Sequence, residues 1–108
     1  TGAQVTTDSE VVLDGSVIDA RQATAVAMSV TNSGANSITC FLYAANNSDF
    51  TGEVVVSAAA GLQITAGTST ILYSGASFAS HAYYRIKIKA TAGGSQGTAT
   101  GYITMKLT

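Results

Sequence analysis

A chain of 108 residues with a formal net charge of −1 has room for one hydrophobic core and none for a second domain. Its apolar fraction of 46% is that of an ordinary globular protein and argues against disorder, whereas charged residues reach only 10% against a usual ~25%. A single cysteine excludes an intramolecular disulfide, and no stretch approaches the roughly 20 apolar residues of a membrane-spanning helix, so no membrane partner is expected.

Sustained apolar spacing at three and four residues is missing, and the apolar runs are rich in Val, Ile, Thr and Tyr. Strand-length runs recur at intervals of about ten residues between Gly, Asn, Ser and Asp clusters, the pattern of a sandwich or barrel. Thr1–Ser9 reads as a possible N-terminal arm, and residues 10–108 as the domain. Glu10–Leu13 and Val17–Asp19 flank Asp14-Gly15, a tight-turn dipeptide. Thr24–Thr31 alternates, with Val26, Met28 and Val30 on one face and Ala25, Ala27 and Ser29 on the other. After the turn Asn32–Asn36, Ser37–Ala45 is apolar on both faces, as a central strand would be.

Asn46–Gly52 is a polar loop interrupted by Phe50, and Asn46-Asn47-Ser48 matches the glycosylation sequon. Glu53–Ser57 is a short strand, with Ala58–Gly61 as a bend. Leu62–Ile64 and Thr68–Ser74 are expected to pair around Ala66-Gly67. Gly75–Ala82 is a small-residue crossover carrying Phe78 and His81. Tyr83–Thr91 and Thr98–Leu107, joined by a Gly-rich turn, read as a terminal hairpin. Sharing one core face would set Tyr83 opposite Lys106, Arg85 opposite Thr104 and Lys87 opposite Tyr102. Proline is absent, which leaves sheet edges without one of their usual guards. The expected fold class is an all-β antiparallel sandwich of Greek-key or jelly-roll type with about eight or nine strands.

Candidate chemistry is sparse. Cys40, in the run Ser37–Tyr43, reads as a small buried hydrophobe, since no basic or helix-terminal setting would activate it. His81 is the one histidine, and no G-x-S-x-G elbow accompanies it. The six acids fall mostly at turns, where Asp serves its own backbone, and no tryptophan lines a groove for paired carboxylates. A calcium site drawing on Asp49 and Glu53 is conceivable, but no repeated Asp motif supports it. Thr91–Gly97 lacks the helix a phosphate cradle needs behind it. Neither an enzyme nor a cofactor is therefore expected.

Charge layout is more informative. Every acid lies before residue 54, whereas Arg85, Lys87, Lys89 and Lys106 lie after it. With Tyr83 and Tyr102 they would form a basic, aromatic-edged stripe on the terminal hairpin. The stripe is open to reading as a solvated face or as a contact with an acidic patch, for instance on another copy. Nucleic acid is the weaker alternative, because so few cations within a net charge of −1 neutralise little phosphate. Arg85, Lys87, Lys89, Tyr102 and Lys106 are the candidate partner contacts.

The order of the Thr24–Thr31 strand, the Asn32–Asn36 turn, the Ser37–Ala45 strand, the Asn46-Asn47-Ser48-Asp49-Phe50 loop and Ala82-Tyr83-Tyr84-Arg85-Ile86-Lys87-Ile88 before a Gly-rich turn resembles small β-sandwich structural proteins of tailed bacteriophages. In that group a loop of Ser-Asn-Asp-Gly-x-x-Phe type often stands where Asn47–Phe50 lies; here no glycine follows Asp49 directly. The resemblance spans about residues 24–108. It implies a non-enzymatic virion protein, assembled in the host cytoplasm, that decorates or cements a capsid. Its partner would be the major capsid protein or another virion protein, and it would be a homo-oligomer with a trimer favoured. A carbohydrate-binding or adhesin-like module is the alternative, with Tyr43, Tyr73, Tyr83, Tyr84 and Tyr102 available to stack on sugars.

Overall fold

The structure is a computed structural model that describes residues 3–21, 23–75 and 82–107. Nine strands run through them: β1 (Gln4–Val5), β2 (Val11–Val12), β3 (Ile18–Asp19), β4 (Ala23–Asn32), β5 (Ile38–Ala45), β6 (Val54–Ile64), β7 (Ser69–Gly75), β8 (Tyr83–Ala90) and β9 (Thr98–Leu107). Two antiparallel sheets form from them. Sheet A has the order β1-β9-β4-β7, and sheet B the order β2-β8-β5-β6 with β3 also on β8. The chain is all-β, an antiparallel β-sandwich.

The pairing is nested. β5 pairs with β6, β4 with β7, β2 and β3 with β8, and β1 with β9, so each pair encloses the one before it and alternates between sheets. One long hairpin rolled around a barrel axis gives this topology, which is the jelly roll. β2 and β3 act as a single interrupted edge strand. Asp14-Gly15, expected as a hairpin turn, is instead the tip of an excursion between them. Ser16 closes the excursion: its Oγ donates to the Ile86 carbonyl at 3.1 Å and accepts from the Ile86 amide at 3.0 Å.

Three expected pairings change. β8 and β9 do not form a hairpin, because the Gly-rich segment carries the chain from sheet B to sheet A. Leu62–Ile64 and Thr68–Ser74 likewise lie in different sheets, joined by a corner in which Gly67 has φ of 76°. The physical reason is common to both. Strands that alternate apolar and polar residues bury one face equally well as paired neighbours or as opposed layers. The third change is that the run expected as Glu53–Ser57 starts at Val54 and continues through Leu62–Ile64 as one strand, β6, whose register against β5 shifts twice between Cys40 and Tyr43. Gly61 (φ 82°) supplies the backbone freedom such a bulge needs.

The core lies between the sheets. Met28 and Val30 of β4 meet Ile38, Cys40 and Leu42 of β5, Ile64 of β6 and Ile86 and Ile88 of β8, all fully buried. Each such side chain contributes roughly 1.5–3 kcal/mol of transfer free energy. β5 is central in sheet B, as its two apolar faces predict. The segment expected as an arm is laid along the sandwich from Gln4 onward. Thr6 donates its amide to the Gly97 carbonyl and the Ala90 amide reaches the Thr7 carbonyl. Residues 76–81 of the expected crossover, with Phe78 and His81, lie outside the described residues.

Candidate functional site: two unlike sheet faces

Alternation along β8 turns Tyr84, Ile86 and Ile88 into the core and leaves Arg85, Lys87 and Lys89 on the outer face of sheet B. Register places Lys87 beside Phe41, Arg85 beside Tyr43 and Lys89 beside Thr39 on β5. Glu53, just before β6, takes two of these cations at once. Arg85 Nε and Nη2 donate to its two oxygens at 3.0 and 2.9 Å, and Lys87 Nζ donates at 2.8 Å. The Arg85 guanidinium, chiefly, holds the Glu53 carboxyl below its usual range. Glu53 of the same chain thus supplies a counter-charge to two of the cations in the stripe.

Aromatic rings fill the spaces between the charges. The Arg85 guanidinium stands 4.2 Å from the Phe50 ring centre, Lys87 Nζ 4.4 Å from that of Tyr43, and Lys89 Nζ 5.8 Å from that of Phe41. Phe50 reaches this position because its loop turns sharply. Its φ is 61°, its amide donates to the Asn47 carbonyl, and Asp49 accepts from the Thr51 amide. At the other end Tyr43 donates its hydroxyl to Glu10 at 2.6 Å, and that bond pushes the phenol up to about 12. Arg21 pairs with Asp19 and covers Tyr83. On this face Glu53 pairs with Arg85 and Lys87, Asp19 pairs with Arg21, and Lys89 lies over an aromatic ring.

Tyr102 and Lys106 do not belong to it. β9 lies in sheet A, where Tyr102 is opposite Ser29 and the Lys106 position is beside Ala25 on β4. The five candidate contacts therefore divide between opposite sides of the molecule.

The outer face of sheet A is chemically different. Ala27, Ser29 and Thr31 of β4 alternate with the buried Val26, Met28 and Val30. Thr100, Tyr102 and Thr104 flank them on β9, and Ser69 and Ile71 on β7. Val5 joins the face at its margin, paired with Thr98. Across these rows no residue is charged. Yet Ile71 (66%), Val5 (62%) and Tyr102 (57%) are the three most exposed large apolar residues among those described. Sequence reading found Tyr102 but missed Ile71 and Val5, whose common face follows from a pairing order that strand pattern does not encode.

Other sites offer less chemistry. Among the described residues no three His, Cys, Asp or Glu side chains cluster as metal ligands. Glu53, weighed for calcium, is occupied by Arg85 and Lys87. Two recesses, one of about 210 Å³ lined by Gly15, Ser16, Gly101 and Ile103 and one of about 290 Å³ beside Asn36 and Gln63, reach no further than the lower edge of the ~300–1,000 Å³ usual for small-molecule sites. Cys40 is buried, and burial pushes its thiol up to about 12. Among the described residues no helix is long and apolar enough to cross a membrane.

No protein-family model matches the sequence, and no curated protein matches it. Solved structures do share the fold. The crystal structure of PirA matches with a TM-score of 0.68 over 95% of this chain and 92% of that one, at 13% identity. At that identity the likeness speaks for the sandwich architecture and not for an activity.

Proposed function

We propose that this chain is a non-enzymatic structural protein of a virion, of the kind that decorates or cements a capsid, working as a homo-oligomer against the major capsid protein or another virion protein. The observation that carries the reading is the outer face of sheet A, whose rows through Ala27, Ser29 and Thr31 hold no charged residue and which exposes Val5, Ile71 and Tyr102. Large apolar residues exposed together on one face mark a contact surface. Many such weak contacts repeated over a lattice give strong attachment without a tight individual site. A fold shared by capsid and lectin domains fits this role without selecting it.

A sugar platform is served less well by the same geometry. Stacking on a sugar needs open ring faces, whereas Tyr43 and Tyr83 each have a cation over the ring and Tyr84 is buried, which leaves Tyr102 as the exposed tyrosine among those whose side chains are described.

Composition of the particle is the test. Tailed particles banded in a density gradient are analysed by mass spectrometry and labelled with antibody to this chain. Co-banding with the major capsid protein, with label over the head, is expected. Absence from banded particles, together with binding on a glycan array, would replace the reading with the carbohydrate one.

A further inference from the structure

We propose that the outer face of sheet A is where a second copy of this chain docks, face to face, about a two-fold axis running along β4. The inference rests on reading that face as a contact surface and adds what it contacts.

Three features favour a second copy over an unlike partner. The first is charge. A two-fold interface sets a surface against itself, so any charge near the axis meets its like. The rows through Ala27, Ser29 and Thr31 carry none, in contrast to the outer face of sheet B with Glu53, Arg85, Lys87 and Lys89.

The second is shape. Ser29 pairs with Tyr102 on one side and with Ile71 on the other, so the two large side chains stand at one level with a small residue between them. Strand spacing puts them about 10 Å apart. A two-fold axis along β4 exchanges the flanking strands, which brings Tyr102 of each copy onto Ile71 of the other. Two identical aromatic–aliphatic contacts then form around a centre of small side chains, at a layer spacing of about 10 Å.

The third is size. β4 and β9 are ten residues long, β7 seven and β1 two, so at about 3.3 Å per residue and about 4.8 Å per strand the face covers roughly 460 Å² in projection. That is the scale of a small interface, below the ~800 Å² of accessible surface per partner in a standard one.

The experiment is solution mass by light scattering on a sizing column, with circular dichroism to check that each variant folds. Wild type is expected to give twice the 10.9 kDa of one chain. I71E and Y102K should each halve the mass, since each puts a charge against an apolar side chain. In the double variant I71E/Y102K the new opposite charges meet across the axis, and the doubled mass returns. Wild type that runs as a monomer overturns the proposal. So does an assembly that survives both single variants, or a double variant no better than the singles. Each of these results is obtained on the purified chain alone, so it leaves the particle-composition test of the virion reading standing.

Discussion

The side chain of Asn32 and the bare α-carbon of Gly97 fill one buried space where the two sheets are tied together. Asn32 Oδ1 accepts from the amides of Gly34 at 3.0 Å and Thr98 at 3.3 Å. Its Nδ2 donates to the carbonyls of Asn36 at 2.7 Å and Ile64 at 3.1 Å. One side chain thus links the end of β4, the turn after it, the end of β6 and the start of β9. A Cβ on Gly97 would press into Ile38 Cγ2 and lie 2.6 Å from the Asn36 carbonyl oxygen and 3.1 Å from Asn32 Oδ1.

Asn32→Ala would strand buried backbone donors and acceptors in both sheets, at about 1–3 kcal/mol for each group that water cannot reach. A loss above about 3 kcal/mol is expected from urea unfolding, larger than the roughly 1–3 kcal/mol that overpacking gives Gly97→Ala. Because the residues touch, the double variant should lose less than the sum. Asn32→Ala within about 1 kcal/mol of wild type would show that water or a shifted turn replaces the side chain.

Removal of residues 1–9 tests whether the first strand is part of the fold. Thr6 Oγ1 accepts from the Gly97 amide at 3.0 Å, and Asp8 accepts from the Gly94 amide at 2.8 Å and from Gln96. These bonds hold the crossover between β8 and β9. Truncation should lower the urea midpoint and speed hydrogen exchange most at Ala90, Gly94 and Gly97, whose amides lose their partners. Unchanged exchange at those three amides would mean that the crossover holds itself.

Much of this fold can be read from residues, and the unread part has one cause. The alternations of Thr24–Thr31 and Tyr83–Ala90 mark their inward faces correctly, and the doubly apolar run Ser37–Ala45 marks the central strand. Partner choice is another matter. Ile103 on β9 faces the same core as Ile86 on β8, but from the opposite sheet, and a period of two is blind to that difference. The split of Arg85, Lys87 and Lys89 from Tyr102 follows directly. Glu53 had a legible signal in being one of six acids in a weakly charged chain, but its nearness to Arg85 depends on β5 lying between β6 and β8.

Cys40 should be chemically silent in the folded protein. It lies in the core on β5, opposite Ile88 and Leu62, and burial alone pushes its thiol up to about 12. Near neutral pH the reactive thiolate is therefore a vanishing fraction. Treatment with a thiol-specific disulfide reagent should label no cysteine in buffer and one per chain in urea. Labelling of the folded protein at the rate of a free thiol would place Cys40 at the surface and undo the packing described for β5.

Glu53 makes sheet B sensitive to acid, and the sign can be worked out. Its carboxyl titrates below the ordinary 4.5 in the folded protein, first because Arg85 hydrogen-bonds to it and then because Lys87 does. A depressed carboxyl binds fewer protons folded than unfolded, so its contribution is fully present above about pH 4.5 and disappears as pH falls through the lower folded value. Glu53→Gln removes that contribution at every pH and leaves Arg85 and Lys87 facing each other without a counter-charge. All three side chains are about four-fifths covered, with exposures of 21%, 19% and 19%, so screening by water is incomplete. The expected loss near pH 7 is about 1–3 kcal/mol, the range for hydrogen bonds to charged groups. Urea midpoints of wild type and variant should then converge as the pH is lowered below 4. A gap that stays constant from neutral to acid pH would mean that Glu53 acts through packing rather than charge.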